Sequence, residues 1–141
     1  MIIQHLNWLA IAASALAYFC LGAIWFNPKV FGTIWMKGHG ISEPNEEDKK
    51  KMPMMMLSTF VLCFIGTVAL AYFIHVFSFY TVNWQWYSGV KVALVGGIGF
   101  TGVGIAMNYM YTKKSLPLII IDSSYHIVGM AIAGIIMSVW M

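Results

Sequence analysis

The sequence predicts an all-α protein: a four-span transmembrane helix bundle with a short interfacial helix in its first cytoplasmic loop. Three observations predict it. Of the 141 residues, 60% are hydrophobic and 9% are charged, with a mean hydropathy of +0.78, whereas a soluble domain carries about 25% charged residues. Four apolar segments are long enough to cross a hydrocarbon core about 30 Å thick, which takes about 20 helical residues. The charges gather in the stretches between them. Without water to satisfy backbone groups, such spans must be helices. Residues 1–141 are read as a single integral membrane domain.

The first span runs from about Leu6 to Phe26. It has no basic n-region, and its apolar stretch is too long for the h-region of a signal peptide, so it is expected to be a retained helix. Asn27-Pro28 is a helix-start signal, because Pro is pre-set for the first helical position. Phe31, Ile34 and Trp35 recur at helical spacing between Lys29 and Lys37, which predicts a short amphipathic helix in the inner headgroup layer. Gly38-His39-Gly40 ends it. Asn45-Glu46-Glu47-Asp48 has the form of a capped helix start with acids in the first turn. Glu46–Lys50 and Glu47–Lys51 are spaced for i,i+4 pairs.

The second span runs from about Met54 to Phe77. Met52, Met54, Met55 and Met56 read as packing where it begins. Thioethers suit copper(I), but a consecutive run points around a helix rather than at one ion. The third span, from about Trp86 to Tyr111, is rich in glycine. The fourth runs from about Leu116 to Trp140. Thr112-Lys113-Lys114-Ser115 is so short that it forces these two into an antiparallel hairpin, with Ser115 as N-cap and Pro117 in the first turn.

Lysine placement predicts orientation. Lys29, Lys37, Lys49, Lys50, Lys51, Lys113 and Lys114 fall in loops one and three, and Lys91 alone lies elsewhere. The positive-inside rule puts these loops in the cytoplasm and both termini outside, in a multi-pass protein of the cell inner membrane. Trp8, Tyr80, Trp84, Trp86, Tyr87 and Trp140 would mark one interface, and Trp25, Trp35 and Tyr111 the other. All eight basic residues are Lys. Nucleic-acid recognition normally uses Arg for bidentate contacts, so no nucleic-acid partner is expected. Lys49 to Lys51 read as an orientation signal and solvated face, since lipid-phosphate clusters are usually more basic.

Cys20 and Cys63 lie in apolar segments without C-x-x-C spacing and read as buried small hydrophobes. No metal site and no cofactor are expected. His5 and His75 fall at one level and could in principle ligate haem axially, but interfacial contact with headgroups is the simpler reading.

Asp122 is the most informative residue. It is the only acid outside loop one, it lies within an apolar run, and His126 follows one turn later. A carboxylate at the centre of a membrane helix costs about 2.5–3.5 kcal/mol, so it needs a partner or a role. Asp122 lies about 12 Å along its helix from Lys114, and Asn108 lies roughly 6 Å from Thr112, at 1.5 Å per residue. They can share a polar layer, with Ser58 and Thr59 entering from the second span and Asn27 at its edge. Small residues on facing stripes let membrane helices approach closely. The stripe Ala93, Gly97, Thr101, Gly104, Asn108 is therefore expected to face Asp122, His126, Gly129, Ala133, with Asn7, Ala10, Ser14, Ala17 as a third stripe.

Three readings of this layer compete. In the first, Asp122 accepts hydrogen bonds from Asn108, hydroxyls or His126 and fixes helix packing. In the second, Asp122 and His126 exchange a proton during transport. In the third, one of them is an acid or base at an enzyme site, but no nucleophile–base spacing supports this, and no enzymatic activity is expected.

Asn7-Trp8, then Trp25-Phe26-x-Pro28-x-x-Phe31-Gly32-x-x-Trp35, then Ile121-Asp122-x-x-Tyr125-His126 form a pattern over nearly the whole chain. It resembles a family of small bacterial four-helix integral membrane proteins known only as a domain of unknown function. The resemblance implies one four-helix membrane domain. It marks the inner-interface motif (Trp25, Asn27, Pro28, Phe31, Gly32, Trp35) and the site residues Asp122, Tyr125 and His126 as family features, and supplies no catalytic role. Small multidrug transporters match in size, but their membrane-embedded acid lies in the first helix, which has none here. The expectation is a non-enzymatic membrane scaffold or accessory protein. The alternative is a proton-coupled small-solute transporter or channel-like protein using Asp122 and His126. The lipid bilayer is the expected partner, together with further copies of the chain in a homo-oligomer.

Overall fold

The computed structural model describes residues 2–41 and 45–140. After a 3-10 turn, Ile2–His5, come α1 (Trp8–Trp25), a π-helical turn (Pro28–Gly32), α2 (Thr33–His39), α3 (Glu46–Tyr80), α4 (Ser88–Gly96), a second π-helical turn (Gly97–Gly102), α5 (Val103–Tyr111) and α6 (Leu116–Val139). Helix α4, the second π turn and α5 form one continuous span. Among the described residues, four helical stretches are long and apolar enough to cross a membrane: Trp8–Trp25, Glu46–Tyr80, Ser88–Tyr111 and Leu116–Val139. This is an all-α, multi-pass membrane bundle, as the apolar runs require.

Asn7 begins α1 and also ties the bundle end. Its Oδ1 accepts from the Ala10 amide at 3.1 Å, the N-cap geometry. Its Nδ2 donates to the Trp140 carbonyl at 2.8 Å. Helix α3 begins at a capping box, with Asn45 and Asp48 exchanging side-chain-to-backbone bonds. It differs from expectation in two respects. It continues unbroken through Pro53, so its 35 residues span about 52 Å, well beyond a hydrocarbon core of about 30 Å. Glu46 pairs with Lys49 rather than Lys50, at 2.7 Å, while Glu47 pairs with Lys51 at 2.6 Å. Ser115 occupies the N-cap position of α6, but its side chain makes no capping bond.

Helix α6 is the hub, packed against α1, α3 and α4. Close approach to α4 requires glycine at two facing positions. A Cβ on Gly89 would collide with the Gly134 carbonyl and Ser138 Oγ, and one on Gly134 would lie 2.6 Å from the Gly89 carbonyl oxygen. Toward α1, Ser14 Oγ donates to the Ala133 carbonyl at 3.4 Å. The expected pairing of stripes is therefore corrected. Gly129 and Ala133 face α1, where Gly129 lies under the Tyr18 ring. The stripe beginning at Ala93 and Gly97 meets Ile127, Met130 and Gly134 instead. On α1 the buried line is Ala10, Ile11, Ser14, Ala15, Tyr18, so Ala17 lies to one side of it.

Candidate functional site

The first π turn shapes loop one. Asn27 is extended (ψ 139), as a residue before Pro must be, and its side chain accepts from the Lys29 amide at 3.0 Å. The chain then wraps so tightly that a Cβ on Gly32 would run into the Phe26 carbonyl. This is why Gly stands in the Phe31-Gly32 pair. The wrap sets Phe31 against Trp25 at 4.9 Å between ring centroids and carries α2 back over α6. There, a Cβ on Gly38 would lie 2.7 Å from Leu118.

Docked this way, loop one meets the Ile121-Asp122 pair directly. Trp25 Nε1 donates to the Ile121 carbonyl at 3.1 Å. Trp35 Nε1 donates to Asp122 Oδ1 at 2.9 Å. The other oxygen, Oδ2, accepts from Tyr109 Oη at 2.6 Å. His39 Nε2 lies 3.5 Å from both that oxygen and Tyr109 Oη, with its ring packed on Trp35. Asp122 is only 8% exposed. The expense of a carboxylate in an apolar helix is thus met by two directed donors, one from α2 and one from α5.

Asn108, Ser58 and Thr59 were expected in this layer, and the structure places all three on exposed surface. Asn108 gives way to its neighbour Tyr109 for a geometric reason. The π turn at Gly97–Gly102 inserts one extra residue into the helix, shown by the Val103 amide reaching back to the Ile98 carbonyl. One residue is about 100° of helical rotation. The insertion turns Asn108 outward and brings Tyr109 to face α6.

His126 does not bond to Asp122. Its Nδ1 shares a hydrogen bond with Tyr18 Oη on α1. Tyr125 is buried beside this pair, its Oη donating to the Tyr18 carbonyl at 3.4 Å and its ring on Phe26 at 5.1 Å. The two polar centres are therefore separate. Asp122, Trp35, Tyr109 and His39 join loop one to the hairpin, while Tyr18, His126 and Tyr125 join α1 to α6.

Among the described residues, Asp122 lines neither of two prominent cavities. One, of about 340 Å³, lies at the end bearing His5, Asn7, His75 and Trp140. His5 and His75 stack there, with rings parallel within 4° and centroids 6.3 Å apart. The other, of about 980 Å³, separates α3 from α4 and the second π turn, with Tyr125, His126 and Met130 at its floor. Among the described residues, no three His, Cys, Asp or Glu side chains gather as a metal site would require. Cys20 is exposed rather than buried as expected, Cys63 is buried, and both are free thiols.

Trp35 was read in the sequence as an interface anchor and His39 as part of a helix end, and Tyr18 and Tyr109 were not singled out. The signal for Trp35 lay in the motif itself, whose two tryptophans bond to the two consecutive residues Ile121 and Asp122.

Fold and site together define a multi-pass α-helical membrane protein whose first loop is hydrogen-bonded to a buried aspartate of its last helix. Residues 9–138 match the model of a family described as protein of unknown function (DUF1761), and the chain belongs to that family. Among curated proteins and solved structures, nothing matches.

Proposed function

We propose that the protein is a non-enzymatic membrane scaffold or accessory protein, in which Asp122 is a structural lock. The observation that carries this reading is that both oxygens of the buried Asp122 accept directed hydrogen bonds, from Trp35 and Tyr109. A proton carrier needs a water path, and Asp122 lines neither of the two cavities described above, which supports the structural role. The lock fixes α2 against the hairpin, so loop one presents a defined surface instead of a free tether. The lysine distribution supports placing that surface in the cytoplasm, with the protein in the cell inner membrane and both termini outside. Gly99 and Gly104 point to open space, where a Cβ meets nothing within 4 Å. This small-residue face supports assembly into a homo-oligomer.

A second reading, proton-coupled transport, draws on His126 and Tyr18 lining the larger cavity. Flux measurements on the protein in proteoliposomes, paired with a thermal melt, separate the two. On the scaffold reading, Asp122→Asn lowers thermal stability and leaves proton and solute fluxes at the level of empty vesicles, as in the parent protein. A flux in the parent protein above that of empty vesicles, lost in His126→Ala at unchanged thermal stability, would establish transport instead.

A further inference from the structure

The larger cavity is a lateral cleft, open along its length. Leu62, Phe73, Val95 and Phe100 on its rims are 68, 50, 71 and 74% exposed. Glycines thin both walls, Gly66 on α3 and Gly96 on α4. The walls are almost wholly apolar, and the polar groups at the floor, His126 and Tyr18, are bonded to each other.

Lys91 stands at one end of this cleft. It is the one lysine outside loops one and three. It lies in the first turn of α4, with its amine 4.8 Å over the Tyr87 ring. Among the described residues, every acidic side chain is at the opposite end of the bundle: Glu46, Glu47 and Asp48 begin α3, and Asp122 lies in the second turn of α6. Lys91 makes no ion pair with any of them. From Lys91 to Thr101, which also lines the cleft, the helix descends about 15 Å. A cation at the membrane surface thus stands above an apolar channel running to about mid-bilayer.

We propose that this cleft holds one anionic membrane phospholipid, its headgroup phosphate on Lys91 and one acyl chain lying between α3 and α4. The charge at the rim and the apolar length below it match the two halves of such a molecule. The lone lysine adds a modest preference for an anionic headgroup, about 1 kcal/mol, and most of the binding comes from burial of the chain in the cleft.

The test uses the full-length protein purified in mild detergent and exposed to an equal mixture of phosphatidylglycerol and phosphatidylcholine with identical chains. Native mass spectrometry then counts bound lipid. The expected result is one retained lipid, with phosphatidylglycerol preferred. Lys91→Gln, on an exposed side chain, lowers that preference roughly fivefold, the worth of one lysine beside an anionic headgroup. Gly66→Phe fills the cleft from a position where a Cβ meets nothing within 4 Å, and it abolishes retention of both lipids. Ala23→Phe, at an exposed position of α1 outside the cleft, retains lipid like the parent. The proposal is overturned if Lys91→Gln leaves the preference unchanged, if Gly66→Phe binds as much lipid as Ala23→Phe, or if an uncharged isoprenoid occupies the parent protein instead.

Discussion

Replacing Asp122 by Leu removes the acceptor for two donors at once, Trp35 Nε1 at 2.9 Å and Tyr109 Oη at 2.6 Å. A stranded buried donor costs about 1–3 kcal/mol in general. Within membranes, measured coupling averages about 0.6 kcal/mol and reaches about 1.7, because the unfolded chain also finds partners there. Both donors are only half-buried, so Asp122→Leu should cost about 1–3 kcal/mol in total. The sharper quantity is the coupling. Tyr109→Phe alone deprives Oδ2 of its short donor, although His39 at 3.5 Å can close part of the gap. Tyr109→Phe added to Asp122→Leu removes a stranded hydroxyl and should restore part of what was lost. The expected coupling energy is therefore about 0.6–1.7 kcal/mol. Reversible unfolding in mixed micelles, titrated with a denaturing detergent and followed by near-ultraviolet circular dichroism, measures it. Strict additivity of the two substitutions would refute the claim that Asp122 and Tyr109 act as one unit.

The same structure sets further expectations. Gly134→Ala places a methyl against the Gly89 backbone and should destabilise by about 1–3 kcal/mol, whereas Gly66→Ala should be neutral or gain up to about 1 kcal/mol; thermal melts of the two variants give the contrast. Gly32→Ala drives a Cβ into the Phe26 carbonyl, so limited proteolysis should cut loop one faster in that variant than in the parent, and equal rates would count against the wrapped turn. Cysteines introduced at Thr112 and Val82, both exposed, should label from opposite faces of sealed membranes, Thr112 from the cytoplasmic one.

Much of this was legible in the sequence because the bilayer imposes strong rules. Four apolar runs gave the four spans, Asn27-Pro28 gave the start of the loop-one helix, and the lone acid at Asp122 marked the buried polar centre. What was not legible depended on phase. A uniform 3.6-residue period through the third span points Asn108 at Asp122, and a single inserted residue at Gly97–Gly102 rotates Tyr109 there instead. Nothing in a glycine-rich run fixes where such a turn falls. The same limit applied to α6, where Gly129 and Gly134 serve different neighbours although both read as small. The loop-one helix was placed at the right residues. The amphipathic pattern shows only that one face is apolar. It does not show that Trp35 turns from the headgroups toward a carboxylate.

The account turns on Asp122 holding α2 against the bundle. Hydrogen–deuterium exchange over Thr33–His39, in the parent protein and in Asp122→Leu, tests this most directly. The account predicts slow exchange of this segment in the parent and fast exchange in the variant, while Leu116–Val139 stays protected in both. Equal exchange of Thr33–His39 in the two proteins would show that the helix holds its place without Asp122, and would contradict the lock.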